Sequence, residues 1–228
     1  MIKKIDIAGI QLDNYTVREA IMQVEKDLSN NVFNTLEEVN MNMLLLAETD
    51  ARMRATLEKL DHTVISEVGI LNAVGESSMQ RKKEIEEHDF YFELMKRIER
   101  NHKTVFLLGK TQQEIETAQQ TILEDFPKCQ VVGAEAIENC VGAIDAIVNE
   151  INAATPDVII SILPTPDQES FLLENRDKLS ANLWYGMGNE KIVKKKHSFM
   201  YFIKKAISLH KLERTITSYE EKEDKNGQ

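Results

Sequence analysis

Short apolar runs alternate with longer amphipathic stretches along this chain. Between Lys4 and Leu12, Ile5, Ile7 and Ile10 stand among polar neighbours in the alternation of a strand. Thr16-Val-Arg-Glu19 is a capping-box pattern, and Ala20, Ile21 and Val24 follow it at helical spacing, which predicts a helix. Glu37 to Asn40 reads as the end of a short strand. Met43 to Leu60 predicts one helix with Leu46, Met53 and Leu57 on a common face, and His62 to Ile65 a short apolar strand. Ile85 to Arg100 predicts a further helix.

The pattern is clearest from Thr104 onward. Val105-Phe-Leu-Leu108 has the length and composition of a buried strand, and Gly109 turns the chain. Thr111-Gln-Gln-Glu114 caps a helix that runs to about Asp125, before Pro127. Gln130 to Gly133 predicts a strand, Ile144 to Ala154 a helix, Asp157 to Ile162 a strand, Gln168 to Leu179 a helix and Leu183 to Gly186 a last strand. Strands that alternate with helices imply an α/β fold, a parallel sheet with right-handed crossovers and helices on its faces. The polar end, Tyr219 to Gln228, reads as disordered.

Open α/β sheets bind ligands beyond the carboxyl ends of their strands. Those ends fall near Asn40, Ser66 and Glu67, Gly109, Gly133, Thr165, and Gly186 to Gly188. Leu108-Gly-Lys-Thr111 is not a P-loop, because Thr104 stands where the first glycine is required. Gly109 could still admit a ligand close to the backbone, with the free N–H groups of the next helix facing an anion. Pro164-Thr-Pro-Asp-Gln-Glu169 forms a stiff loop that would present the Gln168 amide and the Glu169 carboxylate, groups suited to a ribose or base. An acid-enriched helix start explains the same residues without a ligand. The five histidines are scattered, and only His88 stands beside a carboxylate, Asp89.

The 228 residues carry 28 Lys and Arg against 38 Asp and Glu, a net charge of −10. Eight basic residues and one acid lie between Lys191 and Arg214, so that segment carries +7 and the remainder −17. An acidic body of this kind excludes the usual basic nucleic-acid binder. Two cysteines, Cys129 and Cys140, lack metal-ligand or CxxC spacing and read as packed free thiols, and no metal site is expected. The start lacks the apolar core of a signal peptide, and no apolar run approaches the ~20 residues of a membrane span. In the basic segment, Phe199, Phe202, Ile203, Ala206 and Ile207 share a helical face beside Lys204, Lys205 and Lys211. That pattern suits an amphipathic helix lying on an anionic membrane surface. A terminal helix packed on the core, or a contact in a homo-oligomer, would show the same pattern.

The order of these pieces resembles the WecG/TagA/CpsF family of bacterial glycosyltransferases over roughly residues 1–190. Val105-Phe-Leu-Leu-Gly109, Phe126-Pro127 and Val131-Val-Gly133 are similar to the family's middle. Ile151-Asn-Ala-Ala-Thr-Pro-Asp157, Pro166-Asp-Gln-Glu169 and Glu174-Asn-Arg-Asp-Lys-Leu179 are similar to its later stretch, and Asn40, Ala47 and Asp50 fit its early spacing. The resemblance implies a Rossmann-like core over 1–190 and a basic appendage and polar tail over 191–228. It implies transfer of an N-acetylmannosamine-like sugar from a UDP-sugar to a polyprenyl-diphosphate-linked saccharide, with inversion and no cofactor or essential metal. The enzyme would work in the cytoplasm, peripheral to the inner face of the plasma membrane, in cell-surface polysaccharide synthesis.

Carried onto this sequence, Ser66 or Glu67 falls at the family's catalytic Asp, and Glu67 is the stand-in base. Asn40 and Asp89 would hold sugar or acceptor. Gly109, Gly133, Gln168 and Glu169 would frame the nucleotide. Lys194, Lys195 and Lys196 would meet the membrane or the lipid diphosphate. The chain departs from the pattern at Glu38 (family Thr), Glu84 (family Arg), Glu87 (family Gly), Asp167 (family Lys), Pro164 (family Gly) and Ala134-Glu-Ala-Ile137 (family Gly-rich). Carboxylates at those positions add negative charge where a diphosphate would depart. A catalytically impaired protein of the same fold, serving as a binding or scaffold protein, is therefore the alternative, and a nucleotide-binding domain with another ligand a third.

Overall fold

The computed structural model describes residues 3–76, 78–140, 144–188 and 199–226, and in the last segment the side chains of 207–222 only. The chain opens with a hairpin, β1 (Lys4–Ile7) and β2 (Ile10–Asp13), paired antiparallel. Its turn is Ala8-Gly9, with φ of 51° and 83°. The alternation from Lys4 to Leu12 thus belongs to two strands, not one. A two-residue turn leaves the period unchanged, and Gly9 is the one local mark of it.

Six strands form the parallel sheet in the order β4-β3-β8-β7-β5-β6. They are β3 (Asn34–Val39), β4 (His62–Ile65), β5 (Thr104–Gly109), β6 (Gln130–Ala136), β7 (Val158–Ser161) and β8 (Leu183–Gly186). Strand residues alternate between two cores. Leu36, Val105, Leu107, Ile160 and Tyr185 pack with α1 (Val17–Asp27), α6 (Asp89–Arg100) and α7 (Gln112–Asp125). Phe106, Leu108, Ile159 and Trp184 pack on the other face with α8 (Asp145–Ala154) and α9 (Asp167–Asn175). These strands are buried on both faces, which is why their sequence reads as continuous apolar runs. The α/β parallel architecture expected from the sequence is the one observed.

A third core joins the hairpin to α2 (Met41–Thr49), α3 (Ala51–Lys59), α4 (Val68–Ala73) and the terminal helix α10 (Phe199–Asn226). Met43 to Leu60 is therefore two helices. The chain breaks at Asp50, whose carboxylate accepts N–H bonds from Arg52 at 2.8 Å and Met53 at 3.3 Å, capping α3. Asp50→Ala should cost about 1 kcal/mol, read as a melting temperature lower by roughly 2–4 °C. The stretch Ile85 to Arg100 also divides, between α5 (Met79–Glu86) and α6, at His88 with φ of 56°. β6 runs on to Ala136, so Gly133 lies inside a strand and not at its end. The Gln168 helix ends at Asn175, followed by a 3-10 turn over Arg176–Lys178.

The polar end is not disordered up to Asn226, because it continues α10. Leu212 and Ile216 are buried in the third core, and Thr215 Oγ1 donates to Glu48 at 2.9 Å. The Tyr219 ring lies over Gly9, where a Cβ would stand 2.6 Å from its Oη. α10 is thus a helix docked on α2 and α4 along Leu209, Leu212 and Ile216. The expected membrane face falls mostly on side chains outside those described, and Ile207 within it is exposed. Lys194, Lys195 and Lys196 also lie outside the described residues. Among the described residues no helix is long and apolar enough to cross a membrane.

Candidate functional site

The carboxyl edge of the sheet gathers the candidate residues into three neighbourhoods. At the tips of β3 and β4, Asn40 and Glu67 both serve helix starts. Asn40 Oδ1 accepts the Met43 N–H at 3.0 Å, and Glu67 Oε2 accepts the Met41 N–H at 3.0 Å. The first-turn amides of α2 are so divided between two side chains from adjacent strands. Ser66 donates to the Val39 carbonyl at 2.9 Å, which ties the two strand tips together.

Beneath Ser66, on the α1 and α6 side of the sheet, lies a narrow cleft of about 20 Å³, room for about one water molecule. Its walls include Tyr15, Thr16, Glu38, Ser66, Arg81, Glu84 and His88, with apolar surface from Val64, Ile85 and Phe90. Three positions where the chain departs from or shifts the family pattern, Glu38, Ser66 and Glu84, converge here. Glu38 accepts a short hydrogen bond from the Tyr185 hydroxyl. Burial, with the Glu38 charge beside it, pushes the Tyr185 phenol well up, so it stays a donor. Glu84 accepts from Arg81 Nη1 at 2.8 Å, from Gln80 at 3.0 Å and from the Val17 N–H at 3.3 Å. Arg81 was not singled out in the sequence, yet its spacing of three from Glu84 on a helix was the available signal. Asp89, in the first turn of α6, does not line the cleft.

The second neighbourhood lies at the ends of β3, β8 and β7 on the opposite face. Gln168 and Glu169 are buried there with Glu37. Gln168 Oε1 accepts the Gly188 N–H at 3.2 Å, and Glu169 Oε1 accepts from Thr165 Oγ1 at 2.9 Å. Glu37 Oε1 accepts from the Trp184 indole N–H at 3.0 Å. Gly186 has no room for a side chain, since a Cβ would stand 2.5 Å from Glu37 Cγ and 2.7 Å from Gln168 Nε2. Burial and the nearby Glu169 charge push the Glu37 carboxyl up to about 8. Burial also raises Glu169. The sequence marked Gln168 and Glu169 but missed Glu37, whose position inside an apolar strand was the signal.

The third neighbourhood is the tips of β5 and β7. β5 leads outward to β6 and β7 leads back to β8, so the sheet's connections diverge between them, the usual place of a ligand crevice. Gly109 ends β5, packed so closely that a Cβ would stand 2.9 Å from Ile115 Cδ1. The next residue, Lys110, pairs with Asp167 at 2.7 Å, both largely exposed. That hydrogen bond raises the Lys110 ammonium. Gly133 is apart from all three, pressed against the Phe106 ring. Cys129 is buried, and burial pushes its thiol up to about 11. Among the described residues no cluster suits a metal ion.

The sequence model described as the glycosyl transferase WecG/TagA/CpsF family matches residues 5–190. The N-acetylglucosaminyldiphosphoundecaprenol N-acetyl-beta-D-mannosaminyltransferase of Staphylococcus aureus strain NCTC 8325 is 23% identical over 190 residues, covering 81% of this chain and 73% of that protein. The proteins of the same name from strains N315 and MRSA252 match with the same identity and coverage.

Proposed function

Because the chain belongs to the glycosyl transferase WecG/TagA/CpsF family, we propose that it transfers an N-acetylmannosamine-like sugar from a UDP-sugar to a polyprenyl-diphosphate-linked saccharide. The relatives of that name act on such an acceptor. The observation that carries the reading is the family match across the whole sheet, with Asn40, Ser66 and Glu67 together at the tips of β3 and β4. In this reading the nucleotide lies at the β5 and β7 tips beside Gly109, with Lys110 near its phosphates, while Gln168 and Glu169, buried with Glu37, shape the floor behind it. Glu67 takes the proton of the acceptor hydroxyl as that oxygen bonds to the anomeric carbon and the bond to UDP breaks. The Met41 N–H holds this carboxylate in place. The basic segment that precedes and opens α10 brings the protein to an anionic membrane surface, where a lipid-linked acceptor resides.

The test is transfer from UDP-N-acetylmannosamine to a short polyprenyl diphosphate carrying N-acetylglucosamine. Wild-type protein should turn over, and Glu67→Gln should lower kcat by about 10²-fold or more. Full activity in Glu67→Gln would remove the base assignment. A non-catalytic binding role is the second reading. It is favoured by Ser66 at the expected acid and by the Lys110–Asp167 pair, which occupies the cation nearest the crevice. Nucleotide binding without turnover by folded protein would decide for it.

A further inference from the structure

We infer that Glu37 and Glu169 hold one proton between them, and that this shared proton fastens the segment 164–169 to β3. Glu37 is 0% exposed and Glu169 1%. Each uses its Oε1 to accept a hydrogen bond, from the Trp184 indole and from Thr165 Oγ1 respectively. The Oε2 of each is buried and has no hydrogen-bond partner. Two ionised carboxylates only accept, so neither can satisfy the other. A proton on one of them makes that group a donor. A single carboxyl–carboxylate hydrogen bond then gives both orphaned oxygens a partner.

The sheet leaves a gap for the two to meet. β8 lies between β3 and β7, so the chain that leaves β7 for α9 reaches β3 only across β8. Gly186 of β8 is in register with Glu37 on one side and Ser161 on the other. A Cβ at Gly186 would stand 2.5 Å from Glu37 Cγ, 2.8 Å from Glu37 Cδ and 2.7 Å from Gln168 Nε2. The Glu37 side chain therefore crosses over the glycine towards Gln168 and Glu169. The charges that act on the pair are each other's and that of Asp167 in the first turn of α9, all of one sign. From α3, packed on α9, Thr56 donates to the Glu169 carbonyl at 3.4 Å, and Arg52 is committed to Glu174. Burial and like charge both favour the neutral form, and they push the Glu37 carboxyl up to about 8. Near neutral pH the pair keeps one proton and one negative charge. Above that range the proton leaves, and two like charges face each other in a space closed to water. The segment 164–169 then detaches from β3, and Gln168 Oε1 releases the Gly188 N–H. Under the transferase reading, on which this last consequence rests, the same segment is the floor of the nucleotide crevice, so the shared proton positions it.

The experiment is carboxyl-carbon NMR of the full chain labelled at glutamate, titrated from about pH 3 to about pH 10. Glu37→Gln and Glu169→Gln assign the two signals. In wild type both carbons should move together in two steps, one below neutrality and one near 8, as coupled groups do. In Glu169→Gln the like charge is gone, so the upper step at Glu37 should fall by at least about one pH unit. Amide exchange at Gly188 reads the fastening. Its rise between about pH 7 and about pH 8.5 should be at least roughly threefold larger in wild type than in Glu37→Gln, where no proton can be lost at that position. A Glu169 carbon that stays still through the upper step, an upper step at Glu37 unmoved in folded Glu169→Gln, or equal Gly188 exchange in wild type and Glu37→Gln would each overturn the inference. Titration with UDP at the same two pH values separates it from the transferase reading. Affinity should fall with pH in wild type and hold in Glu37→Gln. No UDP binding at either pH, with the coupled titration intact, would remove the nucleotide reading and leave the shared proton standing. UDP binding in a protein whose two carboxyl carbons titrate independently would do the reverse.

Discussion

Glu37→Gln should make the protein more stable at neutral pH and flatten the dependence of its stability on pH. Glu37 is fully buried in β3, and its Oε2 has no hydrogen-bond partner. Glu169 Oε2, buried in the same neighbourhood, also has none. Desolvation and the Glu169 charge lift the Glu37 carboxyl from 4.5 to about 8. The folded state therefore holds a proton that the unfolded chain releases. Stability from this group is complete below about pH 4.5 and is lost progressively as pH rises towards 8. At pH 7 the accumulated penalty is on the order of 3 kcal/mol. Glutamine keeps an oxygen for the Trp184 N–H and brings amide protons to a region holding an unpartnered carboxylate oxygen. Glu37→Gln should raise the melting temperature at pH 7 by roughly 5–10 °C and leave it little changed near pH 4.5. Melting curves across that window check both halves. An unchanged pH slope in the variant would show that another group carries it.

That buried pair also shows what the sequence could not say about the site. Glu37 and Glu38 are adjacent in a strand, so they face opposite sides of the sheet. One joins Trp184, Gln168 and Glu169, and the other joins Tyr185 and the Arg81 cleft. Glu37 meets Trp184 on one face and Glu38 meets Tyr185 on the other because β3 lies beside β8 in the order β4-β3-β8-β7, which no local pattern encodes. Departures from a family motif were legible position by position. The pairing of Glu84 with Arg81 was open to a reading of helical spacing, but that the pair meets Glu38 and Ser66 in one cleft was not. Sequence also marked Asn40 and Glu67 as chemical candidates without showing that each holds a backbone amide of α2.

The fold was more readable than the site because its signals are local. Capping boxes at Thr16 and Thr111 both form as expected, with side chain and backbone satisfied in each direction. The strand Leu183–Gly186 has the bounds its apolar run implied. Errors came where one hydrophobic pattern continues across a break. Asp50 and His88 each interrupt a helix whose apolar spacing resumes on the far side. The polar end of α10 misled in the opposite sense, because only Leu209, Leu212, Ile216 and Tyr219 anchor a helix whose other positions are polar.

Trp184 should be the costliest single position near the second neighbourhood. It is wholly buried, stacked on Phe171 with ring centres 5.9 Å apart and planes at 12°, and its N–H is the donor to Glu37 Oε1. Trp184→Ala opens a cavity and strands the carboxylate, so a loss of at least about 3–5 kcal/mol is expected. Trp184→Phe separates the two causes. It retains much of the stack but removes the donor, leaving Glu37 with a buried acceptor unpaired at a cost of about 1–3 kcal/mol. That donor favours the ionised carboxylate, so its removal raises the Glu37 carboxyl further. The deficit of Trp184→Phe relative to wild type should then grow from pH 5 to pH 8. Urea unfolding of the two proteins at both pH values measures it, and other titrating groups cancel in the difference. In a Glu37→Gln background the pH-dependent part should vanish while the packing loss remains. A deficit that is equal at both pH values would mean that the indole contributes only its volume. A deficit that grows with pH would identify the indole N–H as the group that limits the penalty of keeping a carboxylate inside the sheet.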